Sequence, residues 1–185
     1  LKDRWKDRPA VIISAGPSLE YHLDTLKQFQ NKALLICVAA AAKVLSGYGI
    51  KPDFVVAIDP FEFTQKYFEG WDSSEVPLIY YHQMHWEALK DHSGPKYWFS
   101  MDKEPALPVI GESHGGCFTS GGTVAFSAMQ LAQYMGANPI LFVGQDFAFV
   151  DGHSHVTGSS YNRAADEKKL ANPIWVRSND GGSVL

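Results

Sequence analysis

The fold is decided by one stretch, Val11-Ile12-Ile13-Ser14-Ala15-Gly16-Pro17-Ser18. An unbroken apolar run passes here into a turn of small residues. Such a run is typical of a strand in a parallel sheet that is covered on both faces. Pro17 suits the first turn of a helix, and Gly16 allows the backbone to turn sharply and to approach a ligand. The stretch therefore predicts a buried strand, a tight turn and a helix in succession.

Further apolar runs alternate with helical patterns along the rest of the chain. The predicted strands are Ala10–Ile13, Ala33–Val38, Phe54–Ile58 and Ile140–Val143, with weaker candidates at Leu78–Tyr81, Lys96–Phe99 and Ile174–Val176. The predicted helices are Leu19–Phe29, with Ser18 as its N-cap, and Ala39–Ser46, Phe61–Phe68, His85–Lys90 and Gly122–Met135. Strands that alternate with helices form βαβ units with right-handed crossovers. The sequence therefore predicts an α/β, Rossmann-like, doubly wound fold with a mainly parallel sheet and helices on both faces.

Length and composition fit one folded domain over residues 1–185. The formal net charge is −4 and the basic residues are scattered, which gives no electrostatic basis for nucleic-acid binding. The longest apolar stretch, from Ala33 to Val44, is too short to span a membrane. The two cysteines form no disulfide framework, so we expect a reducing, cytoplasmic environment.

The chain lacks an initiator Met and stops in a glycine turn, so we expect a fragment of a longer protein. The polar residues 151–172 are a candidate mobile loop.

In doubly wound sheets, ligands bind beyond the carboxyl ends of the strands, near the point where the strand order reverses. That rule selects four places: Ser14–Ser18, Ala39–Ala41, Asp59–Pro60 and Gly144–Asp146. At the first place, free amides at a helix N-terminus favour a phosphate or a carboxylate; a plain tight turn is the alternative. Residues 119–123 (Thr-Ser-Gly-Gly-Thr) precede the strongest helix and predict either a second anion-binding turn or a simple helix cap.

Acidic and imidazole side chains near these strand ends supply the candidate chemistry. Asp59 and Asp146 can each bind a ribose hydroxyl, a metal or an amine, or can form a turn. His155 lies just past a strand end, where a histidine can act as a general base at neutral pH. His153 and His155 form an HxH pair, but no third ligand is evident, so the sequence predicts no metal site. The alternative is that both histidines are solvated loop residues.

Several of these motifs occur in a familiar order. They are residues 13–19 (Ile-Ser-Ala-Gly-Pro-Ser-Leu), Pro52-Asp53-Phe54, Ile58-Asp59-Pro60, Ser120-Gly121-Gly122-Thr123, Gly144-Gln145-Asp146 and residues 152–158 (Gly-His-Ser-His-Val-Thr-Gly). Together they resemble the motility-associated factor (Maf) family of bacterial proteins linked to flagellin glycosylation. The Gly-Pro-Ser and Thr-Ser-Gly turns are also similar to those of bacterial sialyltransferases that use CMP-activated nonulosonic acids. The Gly-Pro-Ser turn and the strand-end acids are similar to the archaeal 6-hydroxymethylpterin diphosphokinase-like group.

The resemblance implies roles for individual residues. Nucleotide and substrate binding would fall to Ala15, Gly16, Pro17, Ser18, Ala39, Asp59, Ser120, Gly121, Gly122, Thr123 and Gln145. Catalysis would fall to His155, as the base, and to Asp146. Ala15 stands where the sialyltransferase turn has Asn, so one side-chain contact of that group is absent here.

Three functions follow as hypotheses. The first is a glycosyltransferase-type domain that moves a nonulosonic acid from a CMP-sugar donor to Ser or Thr hydroxyls of flagellin. Helix-terminal amides would steady the departing CMP phosphate while His155 takes the acceptor proton, and no cofactor or metal would be required. The second is a 6-hydroxymethylpterin diphosphokinase-like transfer of pyrophosphate from ATP, with Mg²⁺ on Asp59 and Asp146 and with Lys43 and Arg163 as the basic candidates. The third is a non-catalytic module that binds a nucleotide-sugar or flagellin.

Overall fold

The structure is a computed structural model that describes residues 1–102, 116–119, 121–164, 176–177 and 183–184. The strands are β1 (Ala10–Ile13), β2 (Leu34–Val38), β3 (Phe54–Ala57), β4 (Leu78–Tyr81), β5 (Lys96–Met101), β6 (Gly116–Phe118), β7 (Ile140–Val143), β8 (Val176–Arg177) and β9 (Ser183–Val184). The α-helices are α1 (Leu23–Phe29), α2 (Ala39–Gly47), α3 (Trp86–Asp91) and α4 (Val124–Tyr134), and two 3-10 helices span Pro17–His22 and Glu62–Tyr67.

Seven strands form one parallel sheet in the order β6-β5-β4-β3-β2-β1-β7, while β8 and β9 form a separate antiparallel pair. Every residue of β1, β2 and β3 is buried, as their unbroken apolar runs predict. Cys37 lies in this layer as a fully buried, small apolar side chain, and the exposed Cys117 is also a free thiol.

The chain adds strands to the sheet on both sides of β1. From β1 to β6 each strand is added next to the preceding one, so right-handed crossovers place these connecting helices on one face. The return from β6 to β7 runs through α4, which packs on β1, β2 and β3 from the other face. The predicted doubly wound α/β fold is confirmed. The strand order reverses between β1 and β7, which makes their carboxyl ends the switch point.

Several boundaries differ from the sequence prediction for identifiable reasons. The predicted helix at Leu19–Phe29 begins as a 3-10 helix at Pro17 and becomes α-helical only at Leu23, and the Ser18 side chain does not cap it. The predicted helix at Phe61–Phe68 is the second 3-10 helix. β6 was not predicted, because Gly116–Phe118 is too short to show an apolar period.

The helix predicted at Gly122–Met135 is confirmed, with shifted ends. Gly122 has a φ of +75°, outside the helical region, and Thr123 caps the first turn of α4. Gly136, with a φ of +80°, directly follows the C-cap residue Met135. Ile174 and Trp175 of the last predicted strand lie outside the described residues. Among the described residues, no helix is long and apolar enough to cross a membrane.

Candidate nucleotide-binding site

A pocket of about 720 Å³ opens at the carboxyl ends of β7, β1, β2 and β3. Seven of the predicted site residues line it: Ala15, Gly16, Asp59, Thr123, Gln145, Asp146 and His155. Five others do not: Pro17, Ser18, Ala39, Gly121 and Gly122. Ser120 lies outside the described residues. The structure thus brings together residues from four separate parts of the chain, at the edge of the sheet that the topology rule selects.

Hydrogen bonds tie the turn after β1 to the turn after β7. The Ser14 hydroxyl donates to Gln145 Oε1 at 2.7 Å, and the Gly16 amide donates to the Gly144 carbonyl at 2.8 Å. The Ser18 amide donates to Asp146 Oδ2 at 2.8 Å. A carboxylate of the protein itself therefore accepts the helix-terminal amide that the sequence left free for a ligand phosphate.

Gly16 is required at this junction for its lack of a side chain. Its φ of −65° is open to any residue, but a Cβ would collide with the Asp146 carboxylate and with the Gly144 carbonyl. Pro17 has no amide hydrogen, and the Leu19 amide donates to the Gly16 carbonyl at 3.0 Å. The expectation of free amides at Gly16–Ser18 is corrected: this turn packs against the β7 turn, and the Gly16 and Ser18 amides both have acceptors within the protein.

The first turn of α4 does offer such donors. The Thr123 hydroxyl accepts the Phe126 amide at 3.4 Å, whereas the amides of Val124 and Ala125 have no acceptor within the described part of the chain. Both residues line the pocket. Exposed amides and the positive end of the helix dipole favour an anion at this position.

Two predicted residues that do not line the pocket, Gly121 and Ala39, have structural roles beside it. The Phe126 ring occupies the space that a Cβ on Gly121 would need, so Gly121 lets the turn pass close to α4. Ala39 begins α2 and is buried in the core, while its neighbours Val38 and Ala40 line the pocket instead.

Aromatic side chains that the sequence reasoning missed form one end of the pocket, beside β3. We call the rings of Phe61, Phe63, Tyr67 and Tyr161 the aromatic wall. Phe63 stacks on Tyr161 with centroids 4.8 Å apart and on Phe61 at 5.6 Å, and it meets Tyr67 edge-on at 6.1 Å. The local spacing of Phe61, Phe63 and Tyr67, at the N-cap and within the second 3-10 helix, was a usable signal. The contribution of Tyr161 depends on tertiary contacts.

Asp59 lies beside the aromatic wall without a compensating partner. Its side chain is partly buried and makes no hydrogen bond or ion pair with any residue that the structure describes. Burial therefore raises the pKa of the Asp59 carboxyl. Burial also raises the pKa of Tyr67, and the negative charge of Asp59 adds to that shift.

His155 is half-buried in the same pocket. Its Nδ1 lies 2.9 Å from the Ser154 hydroxyl oxygen, and its ring meets Tyr161 edge-on at 5.2 Å. Burial lowers the pKa of His155, and the nearby Arg163 guanidinium lowers it further. The imidazole is therefore neutral at physiological pH and available as a base. His153, by contrast, is exposed.

The segment that carries His155 and Tyr161 is fastened to the sheet and to its helices. The Val156 amide donates to the Ala15 carbonyl at 2.8 Å, and the Ser159 hydroxyl donates to the Ala40 carbonyl at 3.2 Å. The Ser160 hydroxyl donates to the Lys66 carbonyl at 3.0 Å. These contacts attach the described part of the candidate loop, residues 151–164, to the rest of the domain. Residues 165–172 of that loop lie outside the described residues.

The pocket is poor in positive charge. No Lys or Arg of the described residues lines it, and Lys43 is turned toward the Lys66 carbonyl at 3.5 Å. Arg163 stacks its guanidinium over the Tyr161 ring at 4.4 Å. Within the described ranges, no group of three or more His, Cys, Asp or Glu residues is placed to hold a metal ion.

A family model and a solved structure match this chain. No curated protein matches the chain. Among solved structures, the chain is similar to a Maf glycosyltransferase from Magnetospirillum magneticum AMB-1, with a TM-score of 0.67 and 21% sequence identity. The match covers 100% of this chain and 28% of that protein, so the chain spans little more than a quarter of its relative, and the likeness concerns the fold. The model of the family described as 6-hydroxymethylpterin diphosphokinase MptE-like matches residues 1–152. The chain therefore belongs to the 6-hydroxymethylpterin diphosphokinase MptE-like family.

Proposed function

We propose that this chain is the nucleotide-binding core of a transferase of the glycosyltransferase type. It would take a nonulosonic acid from a CMP-activated donor and transfer it to a Ser or Thr hydroxyl of flagellin. One observation carries the proposal. A neutral, half-buried histidine, the open amides of a helix N-terminus and a wall of aromatic rings share one pocket that no described Lys or Arg lines. The fold shared with a Maf glycosyltransferase supports it.

The charge of the pocket suits a donor with a single phosphate. The amides of Val124 and Ala125 would receive the phosphate of CMP, because two amides and the positive end of the helix dipole can hold a single phosphate without a cation. A triphosphate carries about four negative charges at neutral pH, which normally calls for Mg²⁺ and basic side chains. The two carboxylates of the pocket, Asp59 and Asp146, would repel such a ligand unless Mg²⁺ screened its charge.

Transfer would follow from these contacts. His155 would remove the proton of the acceptor hydroxyl as its oxygen forms a bond to the anomeric carbon of the sugar. The bond between that carbon and the phosphate oxygen breaks at the same time, and its electron pair leaves with CMP. Asp146 would contribute by positioning, because its carboxylate already holds the Ser18 amide.

A panel of ligands in thermal unfolding tests the donor class, since a bound ligand raises the unfolding midpoint by mass action. We expect CMP alone to stabilise the protein, without added metal. Stabilisation by ATP with Mg²⁺ or by a pterin, with none by CMP, would contradict the proposal.

The role of the base is tested by His155→Ala, with His153→Ala as the matched control two residues away. His155→Ala should abolish sugar transfer and preserve the stabilisation by CMP, while His153→Ala should preserve both. Unchanged turnover in His155→Ala would remove this residue from the mechanism. Retained binding in a wild-type protein with no turnover would indicate a non-catalytic binding module.

The second candidate is pyrophosphate transfer from ATP to a hydroxymethylpterin. It is favoured by the family to which the chain belongs and by the presence of Asp59 and Asp146 in one pocket, where either carboxylate could contribute to holding a Mg²⁺ ion brought in with ATP. The absence of a lining Lys or Arg among the described residues places it second. The same panel separates the two, because this activity needs a response to ATP that depends on Mg²⁺.

The proposal also includes an acceptor protein and a cellular compartment. Flagellin is proposed from the resemblance to Maf proteins, and the acceptor surface would include parts of a longer protein. The reaction is proposed to take place in the cytoplasm, where the two free cysteines would stay reduced.

A further inference from the structure

The two ends of the pocket differ in their chemistry. The end between β1 and β7 carries Ser14 and Gln145, the end at β3 carries Asp59 and the aromatic wall, and the first turn of α4, a helix that packs on β1, β2 and β3, lines the same pocket. β7 and β3 are three strand positions apart, so about 14 Å separates the two ends at the usual spacing of parallel strands. This length fits a ligand with an anionic group at one end and a planar ring at the other.

The aromatic wall has the geometry of a stacking platform. Phe61, Phe63 and Tyr161 form a nearly parallel series, with 16° between the first two rings and 23° between the last two. Phe61 is at the outer end of that series and remains 57% exposed. An exposed aromatic face beside a pocket gains free energy when a flat heterocycle stacks on it, and such stacking is tolerant of base identity. The wall therefore accounts for ring binding but not for specificity.

Specificity requires a polar group beside the rings, and Asp59 is the candidate. A partly buried carboxylate normally gains a donor or a cation to offset its lost hydration, and Asp59 has neither among the described residues. Its neighbour Tyr67 is buried, and the Asp59 charge acts on its hydroxyl, but the two side chains make no hydrogen bond with each other. In the open pocket, the donor to Asp59 would then be water or a ligand group that displaces the water.

We propose that the β3 end of the pocket binds a planar heterocycle with an exocyclic amino group, whose ring stacks on the aromatic wall and whose amino hydrogen is donated to Asp59. The inference rests on the proposed function, under which the heterocycle is the cytosine of the CMP-sugar. A pterin carries the same amino chemistry and is the second source. Uracil presents a carbonyl oxygen where cytosine has its amino group, and that oxygen is repelled by a carboxylate.

The ligand side of the test uses the wild-type protein and isothermal calorimetry. We compare CMP, UMP and the CMP analogue in which hydrogen replaces the 4-amino group. Wild-type protein should bind CMP at least about 10-fold more tightly than either of the others, the discrimination expected when a polar group of the site loses its partner. Equal affinities for CMP and the amino-free analogue would overturn the inference and leave the proposed function standing.

The protein side uses Asp59→Asn, which keeps the shape and offers an amide donor to a carbonyl. CMP affinity should fall at least about 10-fold, and the preference for CMP over UMP should disappear or reverse. Glu62→Gln is the matched control, because Glu62 is an exposed acid on the adjacent 3-10 helix that does not line the pocket. Asp59→Asn that retains the wild-type preference would also overturn the inference.

A third experiment distinguishes failure of this inference from failure of the proposed transferase function. If wild-type protein binds no pyrimidine nucleotide but binds a pterin, and Asp59→Asn removes that binding, then the proposed transferase is wrong and the amino-heterocycle site stands. Should Asp59→Asn fail to fold, the comparison of CMP with its amino-free analogue on wild-type protein still decides. Binding of neither CMP nor a pterin overturns both proposals.

Discussion

The Asp146 carboxylate accepts the backbone amide of Ser18 at 2.8 Å, although 128 positions of sequence separate the two residues. The bond joins the turns after β1 and β7, the two strands between which the sheet order reverses. A charged acceptor on a helix-terminal amide stabilises the helix end and fixes the spacing of the two turns. The candidate site is thus held together by its own carboxylate before any ligand binds.

Gly16→Ala should destabilise the protein by about 1–3 kcal/mol, the usual cost of forcing an extra group into a packed site. The added Cβ would collide with the Asp146 carboxylate and with the Gly144 carbonyl, and the second of these is backbone that cannot rotate away. Chemical denaturation measures the free energy of unfolding. Gly47→Ala is the control, since a Cβ there meets nothing within 4 Å at the end of α2 and should be neutral or slightly stabilising. Equal effects of the two substitutions would contradict the packing role of Gly16.

Arg163→Gln should raise the pKa of His155. Burial is the larger cause of its lowered pKa and the Arg163 charge is the smaller one, so removal of the charge recovers only part of the shift. NMR titration of the imidazole protons follows this without any substrate. Lys66→Gln, which removes an exposed cation from the second 3-10 helix, should leave the His155 titration unchanged. A His155 pKa that stays the same in Arg163→Gln would show that the guanidinium charge does not reach the ring.

The buried side chain of His92 should lower the free energy of unfolding in mild acid. Its side chain is fully buried, its Nε2 lies 2.9 Å from the Val76 carbonyl and its Nδ1 has no partner in the described structure. Burial lowers the pKa of His92 from 6.5 to about 4. As pH falls from about 6.5 to 4, the unfolded chain therefore binds a proton that the folded protein does not. The free energy of unfolding should fall over this window, by up to about 3 kcal/mol, and the contribution should be complete above the window.

Urea denaturation at several pH values measures this effect. His92→Gln keeps a donor for the Val76 carbonyl and cannot titrate, so it should show a flatter dependence on pH between 6.5 and 4. His22→Gln removes an exposed histidine and should follow the wild-type profile. A wild-type stability that is constant through this window would refute the assignment.

Phe147 has a φ of +51° and is 80% exposed at the rim of the pocket. The left-handed conformation costs a bulky residue about 1–2 kcal/mol, whereas Asn adopts it more easily. Phe147→Asn should therefore raise the free energy of unfolding by up to about 1 kcal/mol, because little buried area is lost. Phe147→Leu retains the strain and should give no such gain. If the two variants are equally stable, the backbone at this position is not strained in solution.

Local patterns of apolar residues in the sequence predict much of the architecture. The apolar runs of β1, β2 and β3 predict buried strands, because a parallel sheet covered on both faces leaves no polar alternation. The run of β7 also forms a strand, but the expectation that it is buried is wrong, since β7 lies at the edge of the sheet and leaves Leu141 and Phe142 about half exposed. The topology rule then locates the site at their carboxyl ends, since parallel strands end at one edge. Asp59, Asp146 and His155 could be named from sequence for this reason alone.

Other features depend on contacts between distant residues. The sequence favoured a phosphate at the Gly16–Ser18 turn, and only the folded chain brings Asp146 there to take the Ser18 amide. The first turn of α4, which keeps its amides open, could not be distinguished from a simple cap by its composition.

The sequence by itself determined the parallel α/β class of the sheet and the edge at which residues such as Gln145 meet, because these follow from short-range periodicity and chain direction; the order of the strands came from the tertiary structure. Only the tertiary structure decided which amides remain open and which carboxylate lacks a partner. Those properties depend on hydrogen bonds and burial that other segments of the chain supply. Tyr161 is an example, because it comes from a distant segment and completes the aromatic wall beside Asp59. The stretch that begins at Val11 thus predicts where the pocket lies, and the packing around it decides what the pocket is suited to bind.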